Sequence, residues 1–177
     1  VTADLLDAVH QVNQRQRQVL FQKIVSRFGE DLKGKTFAIW GVAFKPKTDD
    51  IREAPAVVLI ERLLEAGAKV RAHDPEALHN LQRQFGDKLT YHTSNYEALD
   101  GADALVIVTE WNEFRSPNFD EMRRRLKTPV IFDGRNLYSL ESMRNRQFEY
   151  YSIGRPTLNG NPATRGTTGR ACEGAGK

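Results

Sequence analysis

The sequence predicts an α/β protein built on a doubly wound parallel sheet of about six strands, preceded by one long helix. Two observations predict it: apolar runs alternate with helical patterns from residue 33 onward, and short connections join them. The run 104–109 is almost wholly apolar, as expected of a strand with helices on both sheet faces. Six strands favour the Rossmann-like order 3-2-1-4-5-6, which places a binding crevice at the carboxyl ends of strands one and four.

The first element is the long helix, predicted over 3–28. Apolar residues form one stripe at helical spacing, namely Leu5, Val9, Val12, Leu20, Ile24 and Phe28. At helical rise this segment would be about 39 Å long, more than a small domain needs. Segment 1–29 is therefore predicted to connect two domains and to form the interface of a homodimer, because one small domain cannot cover its apolar stripe.

The remaining elements alternate regularly. Strands are predicted at 36–41, 69–73, 89–92, 104–109, 129–133 and 148–152. Helices are predicted at 54–66, 76–85, 94–99, 118–126 and 140–146. Gly67 is a typical helix-ending glycine, and the spacing of Ser94 and Glu97 predicts a capping box. We assign 33–155 to one α/β domain and 156–177, which is glycine-rich without apolar periodicity, to a flexible tail.

Composition excludes several classes of protein. The formal net charge is +3, and the tail supplies +2 of it from Arg165, Arg170 and Lys177 against Glu173, so residues 1–155 carry +1. No basic stripe with interleaved aromatics is present, which argues against a nucleic-acid partner. No apolar run approaches the roughly 18 residues of a membrane span, and no signal-peptide pattern opens the chain. We therefore expect a soluble cytoplasmic protein without a membrane partner.

The turn after the first strand, 41–55, reads GVAFKPKTDDIREAP. A dinucleotide-binding fold has a glycine-rich turn here, so that backbone amides can approach a pyrophosphate. This turn has one glycine, but Lys45 and Arg52 could hold a phosphate through their side chains instead. The alternative is a solvated cluster in which three neighbouring acidic residues pair with these cations and cap the helix. Both hypotheses remain open at this point.

Two further loops end at the same predicted rim. Arg135 follows strand five, where Gly134 allows a tight turn that would aim it into the crevice; a plain surface arginine is the alternative. Trp111, after strand four, is interpreted as a core residue. Asp74, at the end of strand two, is a weak candidate for holding a ribose. No nucleophile arrangement or metal cluster is recognisable, and the single cysteine, Cys172, lies in the tail without partners.

Four motifs occur in this order: GVAFKPKTDDIREAP, TEWNEF, FDGRNLY and YYSIGRP. Together they resemble the C-terminal part of the UDP-glucose/GDP-mannose dehydrogenase family over about residues 3–156. The resemblance implies that Phe44, Lys45 and Arg135 contact a UDP-sugar. It also implies that Arg52 reaches an NAD cofactor held by a separate N-terminal domain, and that the long helix is the family's central, dimer-forming helix.

The resemblance implies an activity as well: oxidation of UDP-glucose to UDP-glucuronate, for polysaccharide biosynthesis, in two hydride transfers to NAD. The family's catalytic cysteine lies in a glycine-rich motif upstream of the central helix, and this sequence lacks that motif. We therefore expect no catalytic residue here and no activity from this chain alone. The alternatives are a dehydrogenase of GDP-mannose or UDP-N-acetyl-mannosamine, and a non-catalytic module for nucleotide-sugar binding or assembly.

Overall fold

A six-stranded, wholly parallel sheet forms the centre of the molecule. The computed structural model describes residues 18–160. The strands run in the order β3-β2-β1-β4-β5-β6, which confirms the predicted doubly wound sheet. Their bounds are β1 Thr36–Trp40, β2 Lys69–His73, β3 Thr90–Tyr91, β4 Ala104–Ile107, β5 Val130–Asp133 and β6 Glu149–Ser152.

The helices follow the predicted alternation, with one addition. They are α1 at 18–28, α2 Pro55–Glu65, α3 Leu78–Phe85, α4 Asn95–Ala98, α5 Asn112–Arg115, α6 Phe119–Arg125 and α7 Leu140–Asn145. The short helix α5 was not predicted. The Asn118 side chain caps α6 by accepting from the Glu121 amide at 3.0 Å. The capping box predicted at Ser94 is wrong, because α4 is a single turn whose Ser94 side chain makes no capping bond.

Helices cover both faces of the sheet, as the apolar β4 predicted. On one face the Phe28 ring of α1 meets Phe37 of β1 edge-on, with ring centroids 5.5 Å apart. On the other face Trp40 of β1 stacks on Phe114 of α5 at 5.0 Å and meets Tyr96 of α4 at 6.1 Å. All four residues of β4 are buried between these layers.

The described part of the long helix packs directly on the sheet. Leu20 and Ile24 are buried, and Phe28 contacts Phe132 of β5 as well as β1. An ion pair between Arg27 and Glu149 joins the end of α1 to β6. The apolar stripe of the predicted helix is therefore covered by its own domain over 18–28. Residues 1–17 lie outside the described part, so the connecting and dimer-forming role of 1–29 stays a prediction.

The sheet edge extends into the segment assigned to the tail. Leu158 forms an antiparallel bridge with Tyr150, with N–O distances of 2.9 and 3.0 Å. The ordered domain thus includes Leu158, beyond the predicted boundary at 155. Residues 161–177, with Cys172, lie outside the described part. Within 18–160, no helix combines the length and apolar character needed to cross a membrane.

Candidate functional site

The loops after β1 and β4 touch at the carboxyl edge of the sheet. Gly41 has φ +84°, and a Cβ there would lie 2.6 Å from Thr109 Cβ. The Thr109 hydroxyl donates to the Ala43 carbonyl at 2.6 Å. A glycine is therefore required at 41 by both backbone conformation and close approach, and the two loops are held together as one wall.

The loop after β5 completes this wall. The Gly134 amide donates to the Ile107 carbonyl at 2.9 Å, and Arg135 forms an ion pair with Glu110 of the β4 loop. A Cβ on Gly134 would lie 2.7 Å from Leu20 Cδ1 of α1, so close packing is what requires glycine here. The predicted convergence of three loops on one rim is confirmed. We call the loops 41–54, 108–111 and 134–139 the rim.

Phe44 and Lys45 stand exposed on the rim. Phe44 is 52% exposed and is the one large apolar side chain so exposed within 18–160, while its amide donates to the Asp50 carbonyl at 2.8 Å. Lys45 is exposed and forms no ion pair with any residue that the structure describes. An exposed ring beside an unpaired ammonium group offers a nucleotide both an apolar surface and a phosphate contact.

Arg52, in contrast, is paired within the turn. Its guanidinium donates to Asp50 at 3.0 and 2.8 Å, and its amide donates to the same carboxylate at 2.9 Å. These hydrogen bonds lower the pKa of Asp50 to about 2. The pair does not cap α2, which begins at Pro55 without a side-chain cap. The self-paired hypothesis is thus correct for Arg52 and not for Lys45, yet the Arg52 side chain remains 87% exposed.

Arg52 lines a groove next to the rim. The groove runs between the turn and α3, and Arg52, Asn80 and Arg83 are among its lining residues. Asp49 ties the turn to α3, since its carbonyl accepts from Asn80 Nδ2 at 2.9 Å and its carboxylate lies 3.3 Å from His79 Nε2. Arg135 instead lies on the β4–β5 side. Among the described residues, Arg52 and Arg135 therefore have different ion-pair partners and no contact with each other.

The hypothesis that Asp74 holds a ribose is wrong. Asp74 is 2% exposed, and its carboxylate accepts from the Val42 amide at 2.7 Å and the Ala43 amide at 3.0 Å. Trp111 is buried, which confirms its place in the core, and its Nε1 donates to the same carboxylate at 3.1 Å. Neither side chain is available to a ligand.

Sequence reasoning missed the residues that fix the Arg135 loop. Asp133 is fully buried and accepts from the Arg135 and Leu137 amides, both at 2.8 Å, and from the Tyr150 hydroxyl at 2.7 Å. Burial, together with the Asp133 charge, raises the pKa of Tyr150. Asn136 has φ +55°, and its side chain bonds both the amide and the carbonyl of Ile153. The sequence signal for this turn was the asparagine itself, because asparagine tolerates positive φ better than most residues.

The comparisons with known proteins agree with this geometry. The model of the UDP-glucose/GDP-mannose dehydrogenase family, UDP binding domain, matches residues 38–140, which include the whole rim. The chain belongs to this family. A UDP-glucose 6-dehydrogenase of Pseudomonas aeruginosa is 46% identical over 159 residues, covering 87% of this chain and 35% of that protein. One of Bacillus subtilis is 40% identical over 156 residues, covering 88% of this chain and 34% of that protein.

Solved structures of the family share the fold. A UDP-glucose dehydrogenase of Pyrobaculum islandicum has a TM-score of 0.68 at 32% identity, over 82% of this chain and 31% of that one. The UDP-N-acetyl-mannosamine dehydrogenase of Staphylococcus aureus has a TM-score of 0.56 at 25% identity, over 79% and 31%. The chain thus spans about a third of the length of the curated relatives it matches. Within 18–160, no group of three or more His, Cys, Asp or Glu side chains could hold a metal ion.

Proposed function

We propose that this chain is the UDP-sugar-binding part of an NAD-dependent UDP-glucose 6-dehydrogenase, which converts UDP-glucose to UDP-glucuronate. One observation carries the proposal: the match to the family's UDP binding domain spans the rim, on which Phe44 is exposed and Lys45 forms no ion pair with any described residue. Three curated relatives that match most of the chain at 40–46% identity are each named UDP-glucose 6-dehydrogenase, which supports UDP-glucose as the substrate.

Lys45 and Arg135 are the proposed diphosphate ligands. The hydrogen bond from Arg135 lowers the pKa of Glu110, so this carboxylate is ionised at neutral pH and keeps the guanidinium oriented. The Arg135 side chain is 39% exposed, so an entering diphosphate can share or replace Glu110 as its partner. Lys45 has no carboxylate partner among the described residues, so a diphosphate that binds it displaces none of them. Phe44 supplies the apolar surface against the base or sugar.

Arg52 is the proposed contact with NAD, which supplies the hydride acceptor when bound. The residues present fit only a peripheral contact: Arg52 is cationic and exposed, but the backbone amides after β1 that hold a pyrophosphate in dinucleotide folds are already bonded to Asp74. The cofactor would therefore be bound mainly by residues outside this sequence.

A homodimer through 1–29 and a cytoplasmic location complete the proposal.

Calorimetric titration with UDP and with uridine tests the diphosphate contacts. The chain should bind UDP more tightly than uridine. Each charge-assisted contact contributes about 1.5–3 kcal/mol, so Lys45→Ala and Arg135→Ala should each weaken UDP binding roughly ten- to a hundredfold. Lys47→Ala, two positions away and also exposed, is the matched control and should leave the affinity unchanged, as should Arg52→Ala.

Other results would change the proposal. Equal UDP affinity in all four variants and the wild type would remove the diphosphate role of the rim. Tighter binding of GDP than of UDP would favour a GDP-mannose dehydrogenase instead. Purified chain should reduce no NAD in the presence of UDP-glucose, and turnover above background would contradict the assignment of the catalytic residues to segments outside this sequence.

A further inference from the structure

The turn after β1 binds an anion that belongs to the protein itself. Val42 and Ala43 come just after β1 and Gly41, where a dinucleotide-binding fold presents backbone amides to a pyrophosphate. Here both amides donate to Asp74 Oδ2, at 2.7 and 3.0 Å, and the Trp111 indole donates to the same oxygen at 3.1 Å. A carboxylate from the end of β2 thus occupies the anion position of the turn.

The second carboxylate oxygen is equally engaged. Asp74 Oδ1 accepts from the amides of Glu76 and Ala77, both at 2.9 Å. All five hydrogen bonds to Asp74 are donated to its carboxylate, and Asp74 is 2% exposed. A buried charge of this kind is stable only when it is fully hydrogen-bonded, so the three segments that supply the donors are held in register by one group.

We propose that Asp74 is a built-in substitute for a ligand phosphate. It positions the backbone that leads into Phe44 and Lys45, and it excludes a ligand phosphate from the amides of Val42 and Ala43. A phosphate at this rim must then be held by side chains and not by these two amides. The part of this inference that concerns Lys45 rests on the proposed function, whereas occupation of the amides by Asp74 does not.

The charge of Asp74 matters here, not only its volume. Asparagine has nearly the same shape, but its amide nitrogen is a donor and would face either the Val42, Ala43 and Trp111 donors or the Glu76 and Ala77 donors. Asp74→Asn should therefore be destabilised almost as much as Asp74→Ala. If the Asp74 side chain only filled space, the Asp74→Asn variant should be nearly as stable as the wild type.

Amide spectroscopy of the wild-type chain tests the inference without any substitution. The Val42 and Ala43 amides should exchange slowly with solvent, and inorganic pyrophosphate should leave their resonances in place. UDP should shift the Phe44 and Lys45 resonances more than those of Val42 and Ala43. Fast exchange, or a pyrophosphate-dependent shift of Val42 and Ala43, would overturn the inference. Absence of any UDP response with protected amides would count against the proposed function alone.

Anion rescue provides the second test. Asp74→Ala should lower the melting temperature by at least about 10 °C, and formate at constant ionic strength should restore part of that loss relative to chloride. Trp111→Phe, which removes one donor and keeps the carboxylate, is the control and should show no formate response. A formate effect no larger in Asp74→Ala than in the control, or a near-native Asp74→Asn, would overturn the inference. If Asp74→Ala does not fold, the wild-type spectra decide.

Discussion

Replacing Gly41 by alanine should reduce the free energy of unfolding by about 2–5 kcal/mol. Two costs add. An alanine held at φ +84° is strained by about 1–2 kcal/mol. The new methyl would also lie 2.6 Å from Thr109 Cβ and 2.8 Å from the Thr109 amide nitrogen and carbonyl oxygen, and such overpacking costs about 1–3 kcal/mol. Thr109 cannot easily yield, because its hydroxyl is bonded to the Ala43 carbonyl.

Two other glycines separate these costs. Gly34 has φ +77° and nothing within 4 Å of an added Cβ, so Gly34→Ala should show the conformational cost alone. Gly134 lacks the positive φ, but its Cβ would lie 3.0 Å from the Ile107 carbonyl oxygen and 2.7 Å from Leu20 Cδ1, so Gly134→Ala should show the packing cost alone. The loss in Gly41→Ala should therefore be close to the sum of the other two.

Urea denaturation of the wild type and the three variants gives the required free energies, provided that the dependence on urea keeps the same slope. The reasoning is refuted if Gly41→Ala loses no more stability than Gly34→Ala, because the loops after β1 and β4 would then not be in contact. The UDP affinity of Gly41→Ala, measured well below its melting temperature, should also fall, since the loop that carries Lys45 is displaced.

Two smaller effects are expected elsewhere. The pKa of Asp50 is lowered from 3.8 to about 2, so the stabilisation from its pair with Arg52 is complete above pH 3.8 and is lost as the pH falls through about 2. Titration of the Asp50 carboxyl carbon by NMR should show this midpoint, and Arg52→Ala should return it toward 3.8; an unchanged midpoint would mean that the pair does not form in solution. Asn118→Ala removes the cap of α6 and should cost about 1 kcal/mol in thermal unfolding, while no loss would show that water replaces the cap.

Much of the fold could be predicted because few topologies satisfy the sequence pattern. Parallel strands joined by short connections and right-handed crossovers leave few orders for six strands, and the observed order is the predicted one. The helix α5 could not be predicted in the same way. It is four residues long, too short to show helical periodicity, and only Phe114 is buried, against Trp40 of a strand distant in sequence.

The sequence predicts which loops form the candidate site, but not the contacts that each side chain makes there. Position after a strand places Phe44, Lys45 and Arg135 at the carboxyl edge, whatever their partners are. Which cation stays unpaired depends on distances that the sequence does not contain: Arg52 meets Asp50, two residues away, while Lys45 meets no described carboxylate. The role of Asp74 depends on hydrogen-bond donors from three segments that are separate in the sequence, and no local sequence pattern indicates such a combination.

Two buried carboxylates explain how the rim combines a fixed backbone with exposed cations. Asp74 accepts from the Ala43 amide, two residues before Lys45, and Asp133 accepts from the Arg135 amide itself. In each loop a fully engaged anion inside the protein fixes the main chain, while the cationic side chain is left at the surface. Ordering the backbone before the ligand arrives lowers the entropy cost of binding. If Lys45 and Arg135 bind the diphosphate as proposed, a charged turn with one glycine takes the place of a glycine-rich phosphate turn, because its side chains reach the ligand while its backbone amides are already bonded to Asp74.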